Sequence, residues 1–284
     1  MRHQVKYRLA VTETLAAGSQ LQLSGNAAHY LTHVLRLGAG DTIGLFNRTD
    51  GLFAARITEA GKKSITLLPE IQLQPPERPT GLIACFAPIR GGRLETIIEK
   101  ATELGADILQ PVLTQRSVVD KVNLERAESI AREAAEQCER IGWPEIRPPV
   151  KLLQLLGDWP QNIPLLYGDE TGGGIPIAEW QWSVRSRDLA ASRNASERGG
   201  SGSDGGSAPN AALAANPKWA ILTGPEGGFA PEELAALKRV EAATALSLGP
   251  RILRADTSVI TLCAATLMAW GDWHLAPRFQ KDHA

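Results

Sequence analysis

Cysteine is scarce in this chain. Its 284 residues include three, Cys85, Cys138 and Cys263, too far apart for the paired spacing of a metal site. All three fall in apolar or helical surroundings, so buried, reduced thiols and a reducing compartment are expected. An excess of either charge is also missing. Thirty Lys and Arg face thirty-one Asp and Glu, a net charge of −1, which excludes a general basic coat for nucleic acid. No apolar run is long enough to cross a membrane, and Met1 to Arg8 lacks the apolar core of a secretory signal. A soluble cytoplasmic protein is expected. There is no G-x-x-x-x-G-K-[ST] phosphate loop, and no G-x-G-x-x-G between a strand and a helix.

What is present is a 43% apolar composition, enough for a sizeable core in one large domain or two. Residues 1–75 read as short strands, Thr42 to Phe46, Leu52 to Thr58 and Ser64 to Leu68, parted by Asn, Asp, Gly and Lys-Lys turns. One short helix interrupts them, with Asn26 as N-cap and Tyr30, Leu31, Val34 and Leu35 at helical spacing. A compact barrel is expected. This part holds eight Lys and Arg against five Asp and Glu, a weak sign that it meets a polyanion. Gln74 to Pro79 is proline-rich and stiff, and the domain boundary is placed there, giving domains 1–75 and 76–284.

Beyond the boundary, strands and helices alternate. Strands are read at Leu82 to Ala87, Ile108 to Leu113, Ile163 to Tyr167, Trp219 to Leu222 and Ala245 to Leu248. Helices are read through Leu94 to Leu104, Ile130 to Ile141, from Pro231, and from Thr257 to Trp270. Such alternation implies an α/β fold with a parallel sheet covered on both faces. Residues 183–216 differ. They are rich in Arg, Ser, Gly, Asn and Ala, include the run Gly199 to Gly206, and read as a disordered insertion.

Two glycine-bearing turns follow neighbouring strands. One is Leu222-Thr223-Gly224-Pro225-Glu226-Gly227-Gly228-Phe229, the other Leu248-Gly249-Pro250-Arg251-Ile252-Leu253-Arg254. Glycine lets a ligand approach bare backbone amides, so the pair predicts a small-molecule pocket. Glu226 and Phe229 do not suit a polyphosphate. A neutral or zwitterionic ligand with an adenine ring fits better.

These two segments, with Glu233-Leu234 after the first and Ala255-Asp256-Thr257 after the second, resemble the RsmE-type RNA methyltransferases of the SPOUT superfamily. The likeness extends to His33-Val34-Leu35-Arg36-Leu37 with Gly40-Asp41, to Glu99 through Gly105, to Gln115-Arg116-Ser117 and to Glu133 through Arg140. It spans nearly the whole chain outside 183–216. The resemblance implies S-adenosylmethionine as methyl donor and N3 of a uridine in 16S rRNA of the small ribosomal subunit as acceptor. It also implies a PUA-like β-barrel at the N-terminus, a SPOUT domain with a C-terminal trefoil knot, and a homodimer. A related enzyme acting on a ribose 2′-hydroxyl, or a non-catalytic RNA-binding assembly factor, is the alternative.

On this reading Leu222, Thr223, Gly224, Pro225, Glu226, Gly227, Gly228, Leu248, Gly249, Ile252, Leu253 and Thr257 form the cofactor site. Uridine N3 is a poor nucleophile until its proton leaves, so a proton acceptor and a cation for the resulting anion are wanted. Arg254 is the candidate cation, and Glu226 and Asp256 are candidate acceptors, each equally readable as a helix cap or loop brace. The family usually has Glu where this chain has Asp256. His33, Arg36, Arg90, Arg93, Arg116 and Arg140 are the candidate RNA contacts.

Overall fold

A computed structural model describes residues 5–61, 63–184 and 218–275. The expected insertion at 183–216 lies outside the described residues, except for residues 183 and 184, which are helical. Contacts divide the chain into two compact units. The first holds Met1–Arg78 with Ser129–Trp143, the second Pro79–Glu128 with Pro144–Ala284.

In the first unit β1 (Arg8–Ala10), β2 (Leu21–Ser24), β3 (Thr42–Asn47), β4 (Gly51–Ala60) and β5 (Ser64–Gln74) form one sheet in the order β1-β3-β4-β5-β2. All pairs are antiparallel except β1 with β3. The β3–β4 turn is held by Asn47, whose Oδ1 accepts from the amides of Thr49 (3.0 Å) and Asp50 (2.6 Å). Ile43, Leu45, Ile57, Ile65 and Leu67 are fully buried on the inner face, the period-2 pattern of a sheet with one face covered.

The short helix differs from its expected form. Ser24, not Asn26, is the N-cap of α1 (Gly25–His29), and the chain continues as a π-turn over Tyr30–Val34. Leu31 is buried there while Val34 is exposed, because the wider turn rotates the later residues off the core face.

The returning segment completes this unit. Ala135 and Ile141 pack with Phe46 and Leu52. Glu136 Oε1 accepts from the Ala10 amide at 2.8 Å, and Glu77 Oε1 from the Ile141 amide at 2.6 Å.

The second unit is built on a parallel sheet. Its strands are β6 (Leu82–Phe86), β7 (Ile108–Leu113), β8 (Glu145–Ile146), β9 (Val150–Lys151), β10 (Leu165–Gly168), β11 (Ile175–Pro176), β12 (Trp219–Thr223) and β13 (Ala243–Ser247). The order is β11-β13-β10-β12-β6-β7-β8, with β9 also on β7, and every pair is parallel. Helices α2 (Gly92–Glu103), α3 (Leu124–Gln137, divided between the units), α4 (Leu152–Gly157), α5 (residues 177–184), α6 (Pro231–Arg239) and α7 (Ala255–Trp270) connect them.

All five residues of β6 and of β12 are buried, as strands covered on both faces require. On one face Ile83, Cys85, Tyr167 and Leu222 pack with Leu156, Phe229 and Leu237. α7 lies against β6, β10 and β12 and against α2. Trp270 at its end packs edge-on against Trp180, centroids 5.0 Å apart. No described helix is long and apolar enough to cross a membrane.

Candidate functional site

The sequence reading set the two glycine turns on neighbouring strands. The structure separates them: β10 lies between β12 and β13. Three loops, not two, therefore meet at the carboxyl ends of adjacent parallel strands, where α/β sheets bind ligands. The third is Gly168-Asp169-Glu170-Thr171-Gly172. It carried the same signal, a glycine-rich run after an apolar strand, and sequence reasoning passed over it.

A cavity of about 400 Å³ opens between the three loops. Residues 168–170 and Gly172 line it from the loop after β10, Thr223 through Gly228 from the loop after β12, and Ser247 through Leu253 from the loop after β13. Ala255 and Ser258, in the opening turns of α7, complete the lining. Ten of the twelve expected cofactor residues are thus brought together. Leu222 is fully buried in the core beneath the loops, and the exposed Thr257 is outside the lining. Gly168, Asp169, Glu170, Gly172, Ser247, Ala255 and Ser258 are the lining residues that lie outside the two turns.

Backbone conformation explains the glycines at two positions. Gly228 has φ 69°, and a Cβ there would fall on the Glu170 carboxylate. Gly249 has φ 104° with nothing within 4 Å of its absent side chain, so it turns the chain while leaving the cavity open. Leu248, Pro250, Ile252 and Leu253 supply an apolar wall, and Ile252 is 90% exposed.

The loop after β12 is braced from outside. Arg93 pairs with Glu226, and Arg116 Nη1 donates to the Gly227 carbonyl at 2.8 Å. Two expected RNA contacts are thereby engaged with the glycine loop. At the start of α6, Glu233 is buried. Its Oε2 accepts from the Ala230 amide (2.8 Å) and its Oε1 from the Gln115 amide (2.9 Å). The segment carrying Arg116 is therefore tied to the helix that follows the loop.

Of the expected catalytic residues, only Glu226 lines the cavity. Arg254 is the N-cap residue of α7 with an exposed side chain, between the lining residues Leu253 and Ala255. Asp256 lies in the first turn of α7, behind its N-cap Arg254, and its Oδ1 accepts from the neighbouring Thr257 amide at 2.9 Å. Neither Cys85 nor Cys263 offers a nucleophile, because full burial pushes both thiols up to about 12. Tyr167, beneath the loops, is also raised, by burial first and then by Asp169. Among the described residues no group of three His, Cys, Asp or Glu side chains could hold a metal.

The remaining RNA candidates fall in different settings. Arg90 is exposed after β6. In the first unit His33 stacks on His29, rings 4.5 Å apart and 8° from parallel, and both are exposed. Arg36 is exposed and has φ 58°, a conformation unusual for a side-chain-bearing residue. Arg140 is mostly buried, its Nε 3.8 Å from Glu77 Oε2 and its carbonyl accepting from Arg8.

Residues 76–267 match the model of the RNA methyltransferase domain family, and residues 23–70 that of the RNA methyltransferase PUA domain. The chain is 31% identical to the ribosomal RNA small subunit methyltransferase E of Rickettsia conorii, over 92% of this chain and 95% of that one. It is 30% identical to the protein of the same name from Synechocystis, over 89% and 74%. A methyltransferase from Legionella pneumophila, solved with bound SAM, aligns with a TM-score of 0.70 at 26% identity, over 94% of this chain and 98% of that one. A ribosomal RNA small subunit methyltransferase E from Neisseria gonorrhoeae shares the fold, with a TM-score of 0.71 at 22% identity over 94% and 99%.

Proposed function

The chain belongs to the RNA methyltransferase family of the ribosomal RNA small subunit methyltransferases E, and on that premise we propose that its three-loop cavity binds S-adenosylmethionine for methylation of N3 of a uridine in 16S rRNA. The observation that carries this reading is the convergence of three glycine-bearing loops around about 400 Å³ of space. The residues present suit the cofactor. Gly249 leaves backbone accessible, Leu248 and Leu253 offer an apolar wall for an adenine, and Asp169 and Glu170 offer negative charge to a cation.

When bound, the cofactor supplies an electrophilic methyl group on a sulfonium. The chain's own work is to orient and to handle charge. Arg254, at the head of α7 beside the cavity lining, is proposed to stabilise the uridine anion on O2 or O4. Glu226 is the better placed acceptor for the N3 proton because it lines the cavity. Asp256 is the second choice, in the first turn of α7 and outside the cavity lining. His33 and Arg36 from the first unit, with Arg90, are proposed to hold RNA. A homodimer acting on the small ribosomal subunit in the cytoplasm completes the proposal.

Mass spectrometry of nucleosides in 16S rRNA, from cells with and without the gene, tests it. Loss of 3-methyluridine on deletion, restored by the intact gene, is expected. Loss of a ribose-methylated nucleoside instead, or no change, would refute the N3 assignment.

A further inference from the structure

We propose that Glu170 carries the charge by which the cavity tells the cationic methyl donor from its uncharged thioether product. The inference rests on the cofactor reading above and assigns a role within that site.

The ionisable side chains of the lining are Asp169, Glu170, Glu226 and Arg251. Three carboxylates face one guanidinium, so the lining has an excess of negative charge. The carboxylates are not equivalent. Glu226 is matched by Arg93. Asp169 Oδ1 is turned to its own loop, accepting from the Thr171 amide at 2.9 Å and the Thr171 hydroxyl at 2.6 Å. Among the described residues, no donor bonds Glu170. Its loop follows β10, the strand between the two that carry the other loops. Its carboxylate rests where a side chain on Gly228 would otherwise project. The glycine thus admits the carboxylate to the face of the loop after β12, within the cavity wall.

Donor and product differ by one methyl group and one positive charge. In transfer the sulfur–methyl bond breaks and sulfur keeps the bonding pair, so the sulfonium becomes a neutral thioether. The uridine nitrogen gains the methyl and gives up its proton. A carboxylate in the lining would favour the cationic donor, and the preference would disappear with the charge once transfer is complete. For a solvent-exposed carboxylate this discrimination is about threefold to fivefold.

Calorimetric titration of the full-length protein tests the idea with three ligands: S-adenosylmethionine, S-adenosylhomocysteine and sinefungin, which has an ammonium-bearing carbon in place of the methylsulfonium. Glu170→Gln keeps the shape and removes the charge. It is expected to weaken the two cationic ligands about threefold to fivefold and to leave the thioether within about 1.5-fold. Glu170→Asp is expected to keep most of the discrimination. Equal weakening of all three ligands in Glu170→Gln would make the residue a loop brace and overturn the proposal. Unchanged affinities would overturn it as well. A wild-type protein that binds none of the three would defeat the cofactor reading itself, a result distinct from either.

Discussion

Gly227 and Gly228 are adjacent, yet the same substitution is expected to affect them differently. Gly228→Ala places a Cβ on a left-handed backbone and into the Glu170 carboxylate. Cofactor affinity should fall by about tenfold or more in calorimetry. A Cβ on Gly227 meets Arg116 carbons at 3.6 and 3.7 Å, ordinary contact, so Gly227→Ala should bind within about twofold of wild type. Arg254→Ala should slow methyl transfer by about a hundredfold at saturating RNA while cofactor affinity holds, and Arg254→Lys should rescue poorly. A pure loss of RNA affinity, with turnover intact at saturation, would make Arg254 a substrate clamp. Glu136 has a pH consequence. Burial, foremost, raises its carboxyl above the ordinary value despite the bond from Ala10. The folded state therefore holds this proton more tightly than the unfolded chain. The stability it contributes is full below the ordinary carboxyl range and is lost as pH rises through the raised value. Glu136→Gln should remove that loss, so its melting temperature relative to wild type should climb as pH rises from the ordinary carboxyl range upward. A constant difference across that window would sink the assignment.

The loops owe their placement to the elements that flank them, and one of these joints can be cut. Glu233 accepts from two backbone amides in different segments and is 2% exposed. Glu233→Ala leaves both donors without this partner in a buried place, and should cost about 2–4 kcal/mol in urea unfolding. The change should also lower cofactor affinity, because the segment bearing Arg116 is released from α6. At this scale the sequence was informative where chemistry is local. Proline and acids opening α6, and apolar runs at β6 and β12, were visible because caps and burial on both faces leave their mark in composition. The presence of β10 between β12 and β13 was not visible, since strand order depends on contacts far apart in sequence. The third loop was missed with it. The π-turn after α1 escaped too, because apolar spacing near four residues reads as an ordinary helix.

On the scale of the whole molecule, the contact division bears on truncation. A chain starting at Pro79 would leave Ala135 and Ile141 without Phe46 and Leu52. It is expected to aggregate or melt early in light-scattering and calorimetric assays, and so to say little about RNA. His33→Ala with Arg36→Ala in the full chain is the cleaner probe. It should weaken rRNA binding in filter-binding assays while S-adenosylmethionine affinity stays unchanged. Equal rRNA binding would remove this face from the interface. The helical period of α3 was readable in advance, but no spacing rule tells a helix which core its apolar face will enter. The same return of Ser129–Trp143 sets an order in time. A polypeptide leaves the ribosome from its N-terminus, and domains generally fold as units. Here the first 78 residues emerge with Phe46 and Leu52 still uncovered, and their cover is synthesised only after β6, α2 and β7. The main core of the N-terminal unit, Leu9 to Leu67, is complete in this first stretch, but the cluster around Phe46 and Leu52 is not. That one face waits for its cover until Trp143 has cleared the exit tunnel.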